Sequence, residues 1–210
     1  DEEQIGLVFT NSSPIIAPTG SIKPLIGNNP WSVSVPTGEN PITLDLANTI
    51  VSKGKIRMAL KNGGPIPPGW ALDGRGNPTM DPAEALKGTV LPIGGYKGYG
   101  IAFMAEILSA VLTGADFSIN MADHDADAKR NVGHLFISLN VRHFMDLEQF
   151  YSRVAEFAQI VKQAPKVKED QDIFLPGEKE WRHKNVQDEQ YIALSAESFQ
   201  VFAELSQEYA

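Results

Sequence analysis

The first third of the chain alternates apolar and polar residues over short stretches, which is the pattern of half-buried strands. In residues 31–35 the apolar side chains share one face and two serines share the other. Residues 42–46 alternate in the same way and place Asp45 on the polar face. Apolar runs predict further strands at residues 5–10 and 89–93, and alternation predicts another at residues 135–141.

Apolar residues at helical spacing predict helices over residues 48–60, 101–113 and 147–161, with Asp146 as the N-cap of the third. A last helix is expected to start at Ser195 and to turn Phe199 and Phe202 inward. A long Gly- and Pro-rich loop at 63–82 separates the first two helices. Because strands and helices are mixed, the predicted fold class is α/β or α+β, with crossover connections between several strands.

Composition narrows the possible functions. The chain has 210 residues, which suits one large domain or one domain with a small lobe. Its net charge of −8 argues against binding to nucleic acid or to an anionic membrane surface. The absence of cysteine excludes disulfides and a cysteine nucleophile, and it fits a cytoplasmic protein. The most apolar stretch, 101–112, is too short to span a bilayer.

The glycine-rich segment at residues 94–100 is the first candidate for chemistry. A strand, four glycines with Lys97 among them, and then a helix could cradle a phosphate, because backbone N–H groups, the helix dipole and the ammonium group all favour an anion. The segment matches neither the P-loop nor the Rossmann fingerprint. A tight turn with a solvated lysine is the alternative interpretation.

Three further positions have both a functional and a structural interpretation. Asp45 could orient a catalytic histidine or bind a ribose hydroxyl, or it could cap the following helix. His124 lies in an acidic cluster that is more typical of a solvated loop than of a metal site. Glu106 stands alone in an apolar helix and is expected to receive a backbone or lysine partner. No metal site is predicted.

An ordered series of short motifs extends over nearly the whole chain. They are TNSSP at 10–14, APTG at 17–20, GNNP at 27–30, LDLA at 44–47, IPPGWALD at 66–73, GNPT at 76–79, LPIGGYKG at 91–98 and PGE at 176–178. Together they closely resemble the malate/L-lactate dehydrogenase family, which lacks a Rossmann fold and includes ureidoglycolate dehydrogenase, diketogulonate reductase and piperideine-carboxylate reductase.

The resemblance implies a fold and an activity. It implies a non-Rossmann domain that binds NAD or NADP on a mixed sheet with flanking helices. The expected reaction transfers a hydride between the nicotinamide and a small 2-hydroxy, 2-oxo or 2-imino acid, in a homodimer or a larger homo-oligomer. Residues 1–140 would form the cofactor-binding domain. Residues 141–210 would form a C-terminal helical segment that packs back on it and completes the site.

Site residues follow from the same resemblance, motif by motif. Asp45 is similar to the acid that assists the family's catalytic histidine. The expected cofactor contacts are Ser12; Pro41, Ile42, Thr43, Leu44, Asp45, Leu46 and Ala47; Tyr96 and Lys97; and Gly177, Glu178 and Lys179.

The resemblance also implies residues that this sequence lacks. Family members carry an upstream segment with a Ser-His-Gly motif and a second histidine, which supply proton transfer and substrate contacts. None of the four histidines here lies in a matching motif. Two alternatives therefore stay open beside the dehydrogenase, whose expected partners include a separate upstream peptide. One is a catalytically inactive cofactor-binding or oligomerisation fragment, and the other is a phosphate-binding enzyme of unrelated chemistry.

Overall fold

A four-stranded sheet is formed by the predicted strands of the first third and one later strand. The computed structural model describes residues 3–121, 131–186, 194 and 196–208. The strands lie in the order β3 (Ile42–Leu46), β2 (Trp31–Val35), β1 (Gln4–Thr10) and β7 (His134–Asn140). All three pairings are antiparallel. The α/β class is confirmed. The described strands pair antiparallel, and a crossover connection is present as expected, because β1 pairs with β7 across residues 11–133.

The register of the sheet separates a polar face from an apolar one. Ser34 lies opposite Thr43 and Ser32 lies opposite Asp45. The Ser34 and Thr43 hydroxyls are 2.9 Å apart and share a hydrogen bond. Because side chains alternate along a strand, Thr43 and Asp45 share this polar face, whereas the leucines beside them point the other way. The alternation read from the sequence is therefore confirmed.

A second cluster of elements surrounds a small antiparallel sheet. It contains β4 (Ala71–Leu72), β5 (Pro78–Thr79) and β6 (Thr89–Val90), in the order β5-β4-β6, with helices α1 (Lys53–Lys61) and α2 (Pro82–Lys87) beside it. The core of this cluster is formed by Val51, Ile56, Ile66, Ala71, Ala85 and Val90. The predicted long loop thus contains two short strands, and its apolar residues pack inward.

Helix α1 starts later than the sequence pattern predicts. The helix was expected from residue 48, but Asn48 and Thr49 are buried, Thr49 forms an isolated antiparallel bridge with Pro92, and Ser52 is the N-cap. The Ser52 hydroxyl accepts a hydrogen bond from the Lys55 N–H at 3.3 Å. Polar groups of Asn48 bond to other segments, so tertiary contacts override the local helical spacing.

Helix α3 (Tyr96–Glu106) starts earlier than residue 101, the predicted start. It continues as a π-helical segment, Ile107–Val111. Its N-cap is Gly95, which has a φ of 64°. The glycines at its start suggested a loop, yet Gly98 is buried within the first turns. A glycine is needed there because a Cβ would lie 2.1 Å from the Ile93 carbonyl oxygen.

The remaining helices follow the last strand of the sheet. A short 3-10 turn, Val141–His143, leads to α4 (Leu147–Lys162), whose predicted N-cap Asp146 accepts hydrogen bonds from the N–H groups of Glu148 and Gln149. The chain divides into two compact units, Asp1–Gly177 and Glu178–Ala210. The division into a cofactor domain and a C-terminal segment at residue 140 stays a prediction about function.

The second unit contains α5 (Glu178–Val186) and α6 (Ala196–Glu208). Within it, Phe199 is 65% exposed and Phe202 is 59% exposed, so the prediction that these rings point inward is wrong. The two rings leave an apolar stripe that the described part of this unit does not cover. No helix in the described part of the chain is long and apolar enough to cross a membrane.

Candidate functional site

The glycine-rich turn presents its lysine to solvent at the start of α3. Gly94 and Gly95 both have positive φ angles, 59° and 64°, which only glycine adopts without strain. Tyr96 and Lys97 follow as the first two helical residues, and both are exposed. The positive end of the helix dipole and the ammonium group therefore lie together, which favours a bound anion.

Ser12 lies in a loop that two consecutive asparagines hold in place. Its Oγ donates to Asn28 Oδ1 at 2.5 Å, and its backbone N–H donates to Asn29 Oδ1 at 3.0 Å. Gly27 packs directly against it, since a Cβ at residue 27 would lie 2.1 Å from the Ser12 carbonyl oxygen. The position of the Ser12 hydroxyl is thus fixed by three neighbours from one segment.

Asn48 joins the Ser12 loop, the end of β3 and the glycine-rich turn. Its backbone N–H donates to the Asn28 carbonyl at 2.8 Å, and its carbonyl accepts from the Ile93 N–H at 3.0 Å. Its side-chain amide donates to the Asn29 carbonyl at 2.7 Å and accepts from Trp31 Nε1 at 3.1 Å. Ile93 directly precedes Gly94. Asn48 therefore links the Asn28 and Asn29 segment, which holds Ser12, to the residue that precedes the glycine-rich turn.

A buried carboxylate completes this network from the helix side. Glu106 is 4% exposed, and its two oxygens accept from Asn29 Nδ2 at 2.5 Å and from the Ser118 N–H at 2.9 Å. The expected backbone partner is confirmed, but the second partner is an amide and not a lysine. Asn29 is fully buried with a φ of 36°, so the network holds it in a conformation that is uncommon for a residue other than glycine.

Sequence reasoning did not single out Asn29 or Asn48. Asn29 lies within the GNNP motif and Asn48 directly follows LDLA. These motifs point to the loops rather than to the amides, because the partners of the two amides lie in other segments of the chain.

The β3 segment brings two further predicted residues together. The Thr43 N–H donates to the Pro176 carbonyl at 3.2 Å. Gly177 packs on the same residue, since a Cβ there would lie 2.8 Å from the Thr43 carbonyl oxygen. Asp45 is exposed on the polar face of β3. The Pro-Gly turn and residues 41–47 thus form one continuous patch of the first unit.

Two of the predicted cofactor contacts lie in the second unit. Glu178 starts α5 and accepts a hydrogen bond from Arg182 at 2.9 Å, and Lys179 is exposed beside it. Of the four histidines, His134, His143 and His183 are exposed. The acidic cluster around His124 lies outside the described residues. Among the described residues, no group of three or more His, Asp or Glu could hold a metal ion.

In the described part of the first unit, the segments around Asn48 carry side chains that are suited to ligand binding. A serine hydroxyl, a lysine at a helix start and an exposed aspartate lie on segments that Asn48 and the neighbouring strand hold together. Hydroxyl and ammonium groups suit an extended polar ligand with negative charge. The hydrogen bonds of the buried amides and of the Glu106 carboxylate hold these segments in place.

Comparison with known proteins points to one family. A family model described as malate/L-lactate dehydrogenase matches residues 1–202. The malate/(S)-sulfolactate dehydrogenase of Methanothermus fervidus is 34% identical over 207 residues, which are 98% of this chain and 60% of that protein. The (2R)-3-sulfolactate dehydrogenase (NADP(+)) of Chromohalobacter salexigens is 39% identical over 149 residues, which are 69% of this chain and 44% of that protein.

A solved structure agrees with these matches. The sulfolactate dehydrogenase from Methanocaldococcus jannaschii superposes with a TM-score of 0.86 at 34% identity, covering 98% of this chain and 59% of that one. The fold expected from the resemblance is confirmed. The chain spans about 60% of the length of the first of these relatives.

Proposed function

Because this chain belongs to the malate/L-lactate dehydrogenase family, we propose that it provides the dinucleotide-binding part of an oxidoreductase that uses NAD or NADP. The reaction transfers a hydride between the nicotinamide and a small 2-hydroxy or 2-oxo acid, or the corresponding 2-imino acid. The observation that carries the proposal is Asn48, which follows β3 and whose hydrogen bonds link the segment that holds Ser12 to the residue before the Lys97 turn.

The residues present fit a dinucleotide. Lys97 at the positive end of α3 would hold a phosphate oxygen, and Tyr96 beside it offers an exposed ring to the ligand. Ser12 would contact a polar group of the cofactor. Residues 41–47 would line it along β3, and Gly177, Glu178 and Lys179 would add contacts from the Pro-Gly turn. When bound, the nicotinamide supplies the redox chemistry.

Asp45 is proposed as a positioning residue for a proton-transferring histidine. It is exposed on the polar face of β3, two residues beyond Thr43 and opposite Ser32 of β2. A carboxylate that accepts the N–H of an imidazole fixes its tautomer and supports its charged form. No described histidine is bonded to Asp45, so the imidazole would come from outside the described residues.

Exposed apolar side chains support assembly into a homodimer. Ile101, Phe103 and Met104 of α3, and Leu112 after the π-helical segment, are each at least 40% exposed. Exposed apolar side chains of this size are suited to burial where two protein surfaces meet. A cytoplasmic location is also proposed, on the absence of cysteine alone.

Calorimetric titration of the chain with NADH and with NADPH tests the proposed dinucleotide binding. Lys97→Ala should weaken binding by about 1.5–3 kcal/mol, the value of a hydrogen bond to a charged group. Lys55→Ala, at an exposed lysine of α1, is the matched control and should leave the dissociation constant unchanged. If neither dinucleotide binds the unaltered chain, the proposal is wrong.

Turnover assays then separate the dehydrogenase from the inactive fragment. Oxidation of NADH or NADPH with 2-oxo acids should be followed on the same preparation. Turnover supports the full activity, whereas tight dinucleotide binding without turnover supports the cofactor-binding fragment. Inorganic phosphate that binds where neither dinucleotide does would support the unrelated phosphate-binding enzyme.

A further inference from the structure

A cavity of about 330 Å³ lies in the first unit, apart from the proposed dinucleotide site. It is bounded by the loop after Ser12, the first residue of α1, the end of α2 and the segment that precedes residue 122. None of its lining residues is among those proposed to bind the cofactor. Its volume is at the small end of the range of about 300–1,000 Å³ for ligand pockets.

Three lysines line this cavity, although the chain as a whole carries a net charge of −8. They are Lys23, Lys53 and Lys87, which come from three different segments. The described lining residues include no acidic side chain. Because three lysines from separate segments lie around one cavity, the local electrostatic potential there is positive although the protein as a whole is acidic. A bound anion would be stabilised by this potential.

The ion pairs of these lysines leave two charges available. Lys87 is bonded to Glu84 at 2.7 Å on α2. Among the described residues, Lys23 and Lys53 form no salt bridge. Lys53 is also the first residue of α1, whose first turn contains no acid. A helix start normally attracts negative side chains, so a lysine there adds to the positive field of the helix dipole.

The rest of the lining is mostly apolar. Ile15, Leu86, Val90, Ile119 and Met121 contribute to it, and Val90 is almost completely buried. An apolar wall with a few convergent charges is the composition of sites that bind small organic ligands. Such a wall would contact the carbon body of a ligand while the lysines bind its charged ends.

We propose that this cavity binds a small organic anion with at least two negative charges, carried by carboxylate or phosphate groups. Lys23 and Lys53 are the residues that contact these groups, and Lys87 contributes while it stays bonded to Glu84. The cavity is too small for a whole dinucleotide. The site is therefore separate from the dinucleotide site, and it does not depend on the proposed dehydrogenase activity.

Calorimetric titration of the unaltered chain with citrate and with inorganic phosphate tests the proposal, against sodium chloride at equal ionic strength. We expect at least one of the two anions to bind, and Lys23→Gln and Lys53→Gln each to weaken that binding about tenfold. Lys55→Gln is the matched control, because Lys55 is exposed on the same helix and does not line the cavity. Lys53→Arg keeps the charge and should keep the binding.

Each outcome decides the proposal. Binding of citrate alone assigns the site to carboxylates, and binding of phosphate alone assigns it to phosphate groups. Absence of binding beyond the salt control overturns the proposal, and so does an equal loss in Lys55→Gln. Loss in Lys97→Gln without loss in the two cavity variants places the anion in the dinucleotide site and also overturns it. A dinucleotide site that fails its own test leaves this result unaffected.

Discussion

The side-chain amide of Asn29 donates to the carboxylate of Glu106 at 2.5 Å, and both residues are buried. The same Asn29 amide donates to the Ala102 carbonyl at 2.9 Å, and its oxygen accepts from the Ser12 N–H. A loop that is proposed to touch the cofactor is thus fixed to the inner side of α3. Stability and ligand binding should therefore depend on this pair together.

Replacement of Glu106 by glutamine should reveal this dependence. The new side-chain amide leaves one oxygen for the two donors, Asn29 Nδ2 and the Ser118 N–H. We expect the free energy of unfolding to fall by about 1–3 kcal/mol, because one buried donor loses its acceptor. Urea denaturation measures this change.

Glu39→Gln is the control for the Glu106 variant. Glu39 is exposed, so its replacement should change the free energy of unfolding by less than about 0.5 kcal/mol. Dinucleotide affinity should fall in the Glu106 variant and stay constant in the control. Equal stability of the two variants would contradict the importance of the buried carboxylate.

A pair of glycine variants in α3 tests the close contact at the start of the helix. In Gly98→Ala the new Cβ would lie 2.1 Å from the Ile93 carbonyl oxygen, so the helix or the turn must move. We expect a loss of at least about 1–3 kcal/mol in the free energy of unfolding. Dinucleotide affinity should fall too, since Ile93 holds the turn to Asn48.

Gly100→Ala provides the opposite result on the same helix. No heavy atom lies within 4 Å of a Cβ at residue 100. Alanine has a higher helix propensity than glycine, so the free energy of unfolding should rise by up to about 1 kcal/mol. Thermal unfolding of both variants, followed by circular dichroism, checks the pair. Similar melting temperatures would show that the Ile93 contact is not important.

Alanine variants at Gly177 and Gly69 separate the cost of backbone strain from the cost of a steric clash. Both have nearly the same positive φ, 80° and 82°. A Cβ at Gly177 would lie 2.8 Å from the Thr43 carbonyl oxygen, whereas a Cβ at Gly69 would meet nothing within 4 Å. Gly69→Ala should cost about 1–2 kcal/mol of unfolding free energy from the left-handed conformation alone.

Gly177→Ala should cost more than this, because the strain and the clash add. It should also weaken dinucleotide binding if the Pro-Gly turn and β3 form one patch of the site. Urea denaturation gives the first value and calorimetry gives the second. Equal losses of stability in the two variants would show that the turn can move away from Thr43.

The pair formed by Glu3 and Arg142 predicts a dependence on pH. Two hydrogen bonds from the Arg142 guanidinium hold the Glu3 carboxylate and lower its pKa below the ordinary value, with help from the charge attraction. The pair therefore contributes its full stability above the ordinary glutamate pKa. That contribution is lost as the pH falls through the lowered pKa of the folded state.

Arg142→Gln should return the pKa of Glu3 toward its ordinary value. Titration of the Glu3 carboxyl resonance by NMR measures the shift, with Arg153→Gln on the exposed surface of α4 as the control. The effect on overall stability should be small, since both partners are exposed. An unchanged Glu3 pKa in the Arg142 variant would contradict the prediction.

The strands and the last helix of the first unit were predictable because their patterns are local. Alternation located β2 and β3, and an apolar stripe after Asp146 located α4. The start of α3 was not predictable, because no local rule requires Gly98, which is needed only for its contact with Ile93. The pairing of β1 with β7 was not predictable for a similar reason, because the two strands are more than a hundred residues apart in the chain.

The candidate site was predictable in its segments and not in the contacts that assemble them. Motif resemblance pointed to Ser12, Lys97 and residues 41–47, which are all exposed or half-buried. Asn29 and Asn48 are fully buried, and their role depends on carbonyl groups that folding brings near. A lone buried acid was the one local signal for this network, and it indicated Glu106 but not its amide partner.

The hydroxyl group of Ser12 has already used its only proton. It donates to Asn28 Oδ1 at 2.5 Å and receives a longer hydrogen bond from the Asn29 N–H at 3.4 Å. A hydroxyl group has one donor position and two acceptor positions, so one lone pair of Ser12 Oγ can still accept a hydrogen bond from a ligand. In the proposed complex, Ser12 would therefore accept from a ribose hydroxyl or a carboxamide NH₂, and it would not donate to a phosphate oxygen. The proposed dinucleotide would then place its sugar or amide end at Ser12 and its anionic end at Lys97.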